Sequence, residues 1–422
     1  MTQPLSLFYS DTKWTKSQDS VLWDEVRKIF AGFERTAFAK ELSAVFDNLH
    51  DQELLEALQR TRWTGRPGFP IKVMWRTLVA SYVLNIATIQ ELIRTLHRNP
   101  FVAVQCGICS DNAVPTRFAY YRFIKKLMAH EDLIEKCMAK TIETLKKRLP
   151  DLGKTVAVDS TAISTYANRF KKPNSDTEAG WGVKANGAGE REIWLGYKMH
   201  LVADATHEIP MMPIVTAANT NDSIEMIPVL KKTRTLIDHF SPDFVLADKG
   251  YDATENYKAI VEDFKAVPVI DLNLRGLRKR RNRFEDVADD YGTPHCAWGI
   301  PMVFWGYDKK QKRLKYRCPQ ACGKKGCTWI DKCSKSAYGH VVKINLKDDY
   351  RRFIAVPRHT ETWRKRYNMR TSIERIFARL KKDGEGRLVN HRIRGLNKVT
   401  VNCLLSVWVM QTKMIPKMGF AP

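Results

Sequence analysis

Apolar residues recur at every third or fourth position through the first part of the chain, and the period shortens after Asp151. Behind Pro70, which suits the first turn of a helix, Val73, Leu78, Val79, Tyr82 and Val83 form one stripe. Thr88-Ile89-Gln90-Glu91 has the form of a capping box, in which hydroxyl and carboxylate satisfy free backbone amides, and it opens a shorter helix carrying Leu92, Ile93 and Leu96. Asn99-Pro100 ends that helix, because a residue before proline is pushed out of helical geometry. Pro115-Thr116 opens another, RFAYYRFIKKLMAH, whose apolar stripe is edged by Arg117, Arg122, Lys125 and Lys126. Two helices so joined, the second basic, describe either a helix-turn-helix or a plain helical bundle. Residues 1–150 are expected to form a helical N-terminal DNA-binding domain, with Asp151-Leu152-Gly153 as its junction.

Beyond the junction, Thr155–Val158, Trp194–Ala203, Met211–Ala217, Phe244–Ala247 and Lys265–Ile270 are short, β-rich and bounded by turn residues, which predicts strands. Ile224–Phe240, behind the turn Asn219-Thr220-Asn221-Asp222, reads as a helix. Strands followed by helices indicate an α/β core. The pattern lapses over 271–350, where basic residues, Gly, Pro and Cys cluster, and helices return over 361–382 and 396–412. The expected layout is a first core segment over 151–270, a basic Cys-rich insertion over 271–350, and a second core segment with C-terminal helices over 351–422.

The stretch YNMRTSIERIFARLK, from Tyr367 to Lys381, carries the densest chemistry. Read as one helix at about 100° per residue, Tyr367, Arg370, Glu374 and Lys381 fall within an arc of roughly 60°. Ile373, Ile376, Phe377 and Leu380 line a different face suited to a core, and Arg375, Arg379 and Lys382 cover a third, solvent side. The alternative is an ordinary amphipathic helix in which Arg370 and Glu374 form an i,i+4 pair contributing about 0.2–0.5 kcal/mol.

Composition narrows the partner. The 422 residues hold 70 Lys and Arg against 46 Asp and Glu, a formal net charge of +24, on a chain apolar enough to fold. Such an excess of positive charge points to a polyanion, and nucleic acid is the usual one. The chain shows no basic amphipathic anchor for a membrane surface and no apolar run near the roughly 18 residues of a spanning helix. The start, MTQPLSLFYSDTKW, lacks a secretion signal, and nine cysteines outside a secreted setting argue for reduced thiols in the cytoplasm.

Asp159 closes the apolar run KTVAVD and Asp248 closes DFVLAD, so each is expected at the C-terminal end of a buried strand, the edge where open α/β sheets bind ligands. An aspartate there is by default a turn former. If the strands are neighbours, the two carboxylates can share divalent metal, with Glu374 on a covering helix completing an oxygen set that suits Mg²⁺. Such ions activate a water or 3′-hydroxyl and stabilise the leaving oxygen in phosphodiester displacement.

AVDST around Asp159, LGYKMHLVAD over 195–204, TAANTND over 216–222, LADKGYD around Asp248 and the Tyr367–Lys381 stretch together resemble the DDE transposases of bacterial insertion sequences. The last stretch matches that family's YREK signature, Tyr-x2-Arg-x3-Glu-x6-Lys, at Tyr367, Arg370, Glu374 and Lys381, and the terminal HRIRGLNKVTVNCLLSVWVM is similar to its final helices. The resemblance implies an α/β ribonuclease H-like catalytic core with an all-α N-terminal domain and an irregular insertion. It implies that Asp159, Asp248 and Glu374 are catalytic and bind Mg²⁺, with Mn²⁺ able to substitute, and that Tyr367, Arg370 and Lys381 hold DNA phosphates. The activity implied is cleavage at the terminal inverted repeats of the chain's own mobile element, then joining of the 3′-hydroxyl ends to target DNA by two-metal transesterification. Double-stranded DNA, a homodimer on that DNA and a nucleoid-associated bacterial location are the corresponding partners and place. A metal-dependent DNA nuclease, or a host-recruited DNA-binding protein with an inactive core, would share parts of this pattern.

Within 271–350, Arg275, Arg278, Lys279, Arg280, Arg281 and Arg283 form a basic run suited to phosphates or to solvent. Trp298, Trp305 and Trp329 are core or base-stacking rings. Cys318, Cys322, Cys327 and Cys333, spaced C-x3-C-x4-C-x5-C, are either a structural Zn²⁺ site or free thiols. His200 and Asp204, on a predicted strand, are expected to be structural.

Overall fold

A computed structural model describes residues 37–61, 68–185, 190–274, 288–323, 333–381, 388 and 392–417. The chain begins with helices α1 (Ala37–Asn48), α2 (Gln52–Arg60), α3 (Ile71–Val83), α4 (Ile89–Arg98), α5 (Pro100–Gln105), α6 (Arg117–Met128) and α7 (Glu131–Lys146). Their starts follow local chemistry. Pro70 stands before α3, Thr88 accepts the Glu91 amide at 3.2 Å, and Thr116 accepts the Ala119 amide at 3.3 Å. Asn99 closes α4 but also caps the next helix, its side chain accepting the Val102 amide at 3.3 Å. Consequently α4 and α6 are not joined by a simple turn, because α5 and a 3-10 turn at Asp111–Ala113 lie between them.

A mixed α/β region follows. Its strands are β1 (Thr155–Ser164), β2 (Gly180–Ala185), β3 (Arg191–Asp204), β4 (Ile209–Ala217), β5 (Phe244–Ala247) and β6 (Val267–Ile270), with α8 (Asp222–Leu236) and α9 (Thr254–Glu262) among them. They form a six-stranded sheet of order β2-β3-β1-β5-β6, with β4 also on β3. β3 runs antiparallel to β1, β2 and β4, while β1, β5 and β6 are mutually parallel neighbours. The sequence pattern does not predict β2, since GWGVKA carries two weak strand formers. Its Gly182 has a structural reason: a Cβ there would lie 2.3 Å from the Trp194 ring, which covers it from β3.

The segment 271–350 contains more regular structure than expected. β7 (Val303–Asp308), β8 (Arg313–Arg317) and β9 (Val341–Asn345) form a three-stranded antiparallel sheet, and Leu314, Tyr316 and Ile344 join the main core. Alternation of buried and exposed residues in β8 holds it there, a pattern too short and too basic to read beforehand. Trp298 and Trp305 are about half exposed rather than core, at 52% and 50%, and Trp305 stacks on Tyr338 with centroids 5.5 Å apart. Cys318 is buried, Cys333 is exposed, and Cys322 Sγ accepts a hydrogen bond from Arg317 Nε at 2.8 Å. These thiols do not gather into a three-ligand group among the described residues, and the zinc candidate is not assembled there. Cys327, Trp329, Lys382 and the run from Arg275 to Arg283 lie outside the described residues.

The chain finishes with α10 (Glu361–Asn368), α11 (Thr371–Lys381) and α12 (Leu396–Lys417). α12 passes through the middle of the molecule. Asn402 accepts from the Tyr82 hydroxyl at 3.0 Å, Trp408 Nε1 donates to Thr141 at 2.9 Å, and Gln411 Nε2 donates to the carbonyls of Pro210 and Met211 at 2.9 and 2.6 Å. The helical region and the sheet thus share one hydrophobic core. Among the described residues no helix is long and apolar enough to cross a membrane.

Candidate active site

The site forms where β1 outruns β5. Their parallel pairing stops at Ala157 and Leu246, while β1 continues to Ser164 because β3 keeps pairing with it. Asp159 is therefore inside a strand rather than at its end, opposite Leu201, with its β5-facing edge uncovered. Asp248 directly follows β5 and sits at the equivalent level, each acid two residues past the Ala157–Leu246 pair. Asp248 Oδ1 accepts the Gly250 amide at 2.8 Å and caps the 3-10 turn Lys249–Tyr251. A Cβ on Gly250 would approach the same oxygen to 2.9 Å, so a larger residue there would displace the Asp248 carboxylate.

The charge of Asp248 acts on Asp159. Burial first, and then the negative charge of Asp248, push the Asp159 carboxyl up to about 7, against the opposing pull of the Ser160 amide and the Arg370 and Lys184 charges. Ser160 N–H donates to Asp159 Oδ1 at 2.7 Å.

The helix expected over 361–382 is two helices. Amides of Met369, Arg370, Ser372 and Ile373 each bond the carbonyl three residues back, tightening the chain so that α10 ends at Asn368 and α11 begins at Thr371. Tyr367 thus lies in the last turn of one helix, Arg370 occupies the joint, and Glu374 and Lys381 belong to the other. The joint still brings the first three together. Arg370 Nη1 donates to Glu374 Oε1 at 2.8 Å, and its guanidinium carbon lies 5.7 Å from the Tyr367 ring centre. Tyr367 is held by Trp363, stacked at 4.7 Å and 11°. Burial alone would lower the Arg370 pKa, but the bond and charge of Glu374, with Tyr367 and Asp159, raise it. Arg370 therefore links Asp159 to Glu374 electrostatically.

Lys381 Nζ donates to the Ala162 carbonyl at 2.8 Å, fastening α11 to β1 three residues beyond Asp159. Ile373, Ile376, Phe377 and Leu380 are buried, as their spacing predicts. Arg375 is exposed as expected and Arg379 partly so, and both also hold the β3–β4 turn: Arg375 Nε donates to Glu208 Oε1 at 2.6 Å and Arg379 Nη2 to the Glu208 carbonyl at 2.7 Å. Among the described residues no three carboxylate, imidazole or thiolate groups stand close enough to hold one metal ion. Asp159 and Asp248 form a pair, and Glu374, with its side chain 53% exposed, is turned to Arg370.

His200 is fully buried with Nε2 2.9 Å from Thr216 Oγ1, and burial lowers its pKa to about 4. Asp204 accepts the amides of Gly153, Thr206 and His207 at 2.8, 3.0 and 2.6 Å, a structural staple. Three residues around the acids were not singled out from sequence. Lys198 Nζ pairs with Asp222 Oδ1 at 2.9 Å, and the Tyr251 hydroxyl is buried close to the charges of Asp159, Asp222 and Asp248. Asp222 and Tyr251 lie inside the TAANTND and LADKGYD motifs, which is the signal that marks them.

Comparison with known families agrees with this geometry. Residues 151–410 match the model described as "Transposase DDE domain", and residues 28–126 match the one described as "Transposase domain (DUF772)". No curated protein matches the chain. The first match spans well over half of the sequence and contains both paired aspartates and the Arg370–Glu374 joint, so the chain belongs to the DDE-domain transposase family of insertion sequences.

Proposed function

We propose that this transposase cleaves DNA at the terminal inverted repeats of its own element and joins the freed 3′-hydroxyls to target DNA, using Asp159, Asp248 and Glu374 on a ribonuclease H-like core. The observation that carries this reading is the level pairing of Asp159 and Asp248, with Arg370 bridging toward Glu374. The sheet supports the core assignment, being antiparallel on one side of β1 and parallel on the other.

The donor chemistry fits a hard divalent cation such as Mg²⁺ or Mn²⁺. Both ligands are carboxylates, and burial plus mutual repulsion drive Asp159 toward holding a proton, a strain that a cation relieves. Asp159 and Asp248 would hold it, and Glu374 would join them on leaving Arg370. When bound, the cation activates a water or 3′-hydroxyl and stabilises the departing oxygen in phosphodiester displacement. The remaining work falls to side chains. Arg370, once parted from Glu374, offers a planar fork to a phosphate oxygen, and Tyr367, braced by Trp363, fixes its approach. Lys381 adds positive charge beside the outer part of β1. Two copies acting together would hold two element ends.

The test is a strand-transfer assay with Mg²⁺, an end duplex with a free 3′-hydroxyl, and a supercoiled target. Covalent joining of the end to the target is expected. Hydrolysis of DNA without joining would make the protein a nuclease instead.

A further inference from the structure

The two ends of the segment 271–350 meet on one carboxylate, that of Asp252. This residue follows the 3-10 turn Lys249–Tyr251, which Asp248 opens and Asp252 closes, its amide donating to the Lys249 carbonyl at 3.4 Å. The Asp252 side chain has no exposed surface. At the entrance to the segment, the Asn273 amide donates to Asp252 Oδ2 at 2.8 Å. From the exit, Arg351 Nε donates to Oδ1 at 3.0 Å and Arg351 Nη2 donates to Oδ2, a two-pronged ion pair. Arg351 is itself held at both sides of its backbone. Its amide donates to Asp349 Oδ1 at 3.0 Å, and its carbonyl accepts from Arg358 Nη1 at 2.8 Å. Arg358 Nε in turn donates at 3.0 Å to the carbonyl of Ile270, the last residue of β6.

Neutralising a buried aspartate requires only a nearby cation. The fork does more, because two parallel bonds also fix the orientation of the carboxylate they grip. Asp252 is one end of a short turn and Asp248 is the other, so what orients the first constrains the second. Both Asp252 oxygens are engaged by Arg351 and Asn273, which leaves Asp252 a support and not a ligand. Partners that hold a metal ligand in place typically matter about 10–100-fold in metal affinity. We infer that Asp252 and Arg351 are positioning residues for Asp248, through which the base of the 271–350 segment sets that carboxylate for its metal ion. The inference rests on Asp248 being a metal ligand, as proposed above.

The test is a calorimetric titration of Mn²⁺ into the full chain, free of DNA and of other metal. Arg351→Lys keeps the charge and loses the fork, and should weaken Mn²⁺ binding by about tenfold. Asp252→Asn with Arg351→Gln removes both charges together, so that neither is left buried alone, and should weaken binding at least as much. Trp408→Ala, which destabilises the fold from a distance, should leave the Mn²⁺ affinity of the folded protein unchanged. In DNA cleavage by Arg351→Lys, the Mn²⁺ concentration for half-maximal rate should rise about tenfold, while the rate at saturating Mn²⁺ stays within about threefold of wild type. Wild-type Mn²⁺ affinity in Arg351→Lys and in the double variant, or an equal loss in Trp408→Ala, would overturn the positioning role and leave the metal site standing. Wild-type Mn²⁺ affinity in Asp248→Asn would overturn the metal site and the inference with it.

Discussion

Asp159 and Asp248 stand level with one another on parallel neighbouring strands, each two residues beyond the last paired residues, Ala157 and Leu246. Neither strand alone creates the site. It exists because β1 continues alongside β3 after β5 has stopped, so one acid lies within a strand while its counterpart caps a turn. The result is a carboxylate pair in which Asp248, after burial, raises the affinity of Asp159 for positive charge, with Arg370 supplying part of it.

The capping turn sets the position of Asp248. Gly250→Ala puts a Cβ 2.9 Å from the Asp248 oxygen that now accepts the Gly250 amide, so the carboxylate must shift. The fold should lose only about 1–2 kcal/mol by denaturant titration, since the turn is at the surface. The divalent ion concentration for half-maximal DNA cleavage should rise by at least tenfold. An unchanged ion requirement would show that the turn does not place Asp248.

On the proposed mechanism, Arg370 would compete with metal for the same carboxylates. In Arg370→Ala both Asp159 and Glu374 lose a neighbouring cation. Mn²⁺ binding to the DNA-free protein should tighten by roughly tenfold, while the salt slope of DNA binding falls by about 1. Titration calorimetry reads the first and a salt series the second. Weaker Mn²⁺ binding would mean that the guanidinium supports the acids rather than opposing a metal.

α12 makes the helical region and the sheet one cooperative unit. Trp408 is fully buried, tilts against Trp75 at 5.6 Å and donates to Thr141. Trp408→Ala should cost about 3–5 kcal/mol in chemical denaturation. Tryptophan fluorescence and far-ultraviolet dichroism should still report one transition. Two separated transitions would show that the helices fold independently of the sheet.

Much of the architecture was legible in the residue pattern, because it rests on strong local signals. The apolar runs around Val156, Val245 and Val269 became strands, Thr88 and Thr116 cap helices, and the buried stripe from Ile373 to Leu380 faces the core. What escaped depends on tertiary partners. Asp159 lies within β1 because β3 supplies a long partner strand, which nothing near Asp159 announces. The break between α10 and α11 falls at Met369-Arg370, residues that favour helix, so one continuous helix was the natural reading. Arg370 and Glu374 meet all the same, across a joint rather than along a face. The strands β7 to β9 are short, β8 is dominated by Arg313, Lys315 and Arg317, and pairing with one another gives them their order. Arg375 and Arg379 belong to the β3–β4 turn only because Glu208 is folded beside them.

The central claim is that three carboxylates far apart in sequence serve one metal-dependent reaction on DNA. It is tested most directly by measuring Mg²⁺-dependent cleavage of an element-end duplex by Asp159→Asn, Asp248→Asn and Glu374→Gln, with end binding measured alongside. The account predicts that each variant binds the duplex about as the wild type does and cuts it at least about 100-fold more slowly. Cleavage at wild-type rate by any of the three would remove that residue from the centre, and by both aspartates would remove the centre itself.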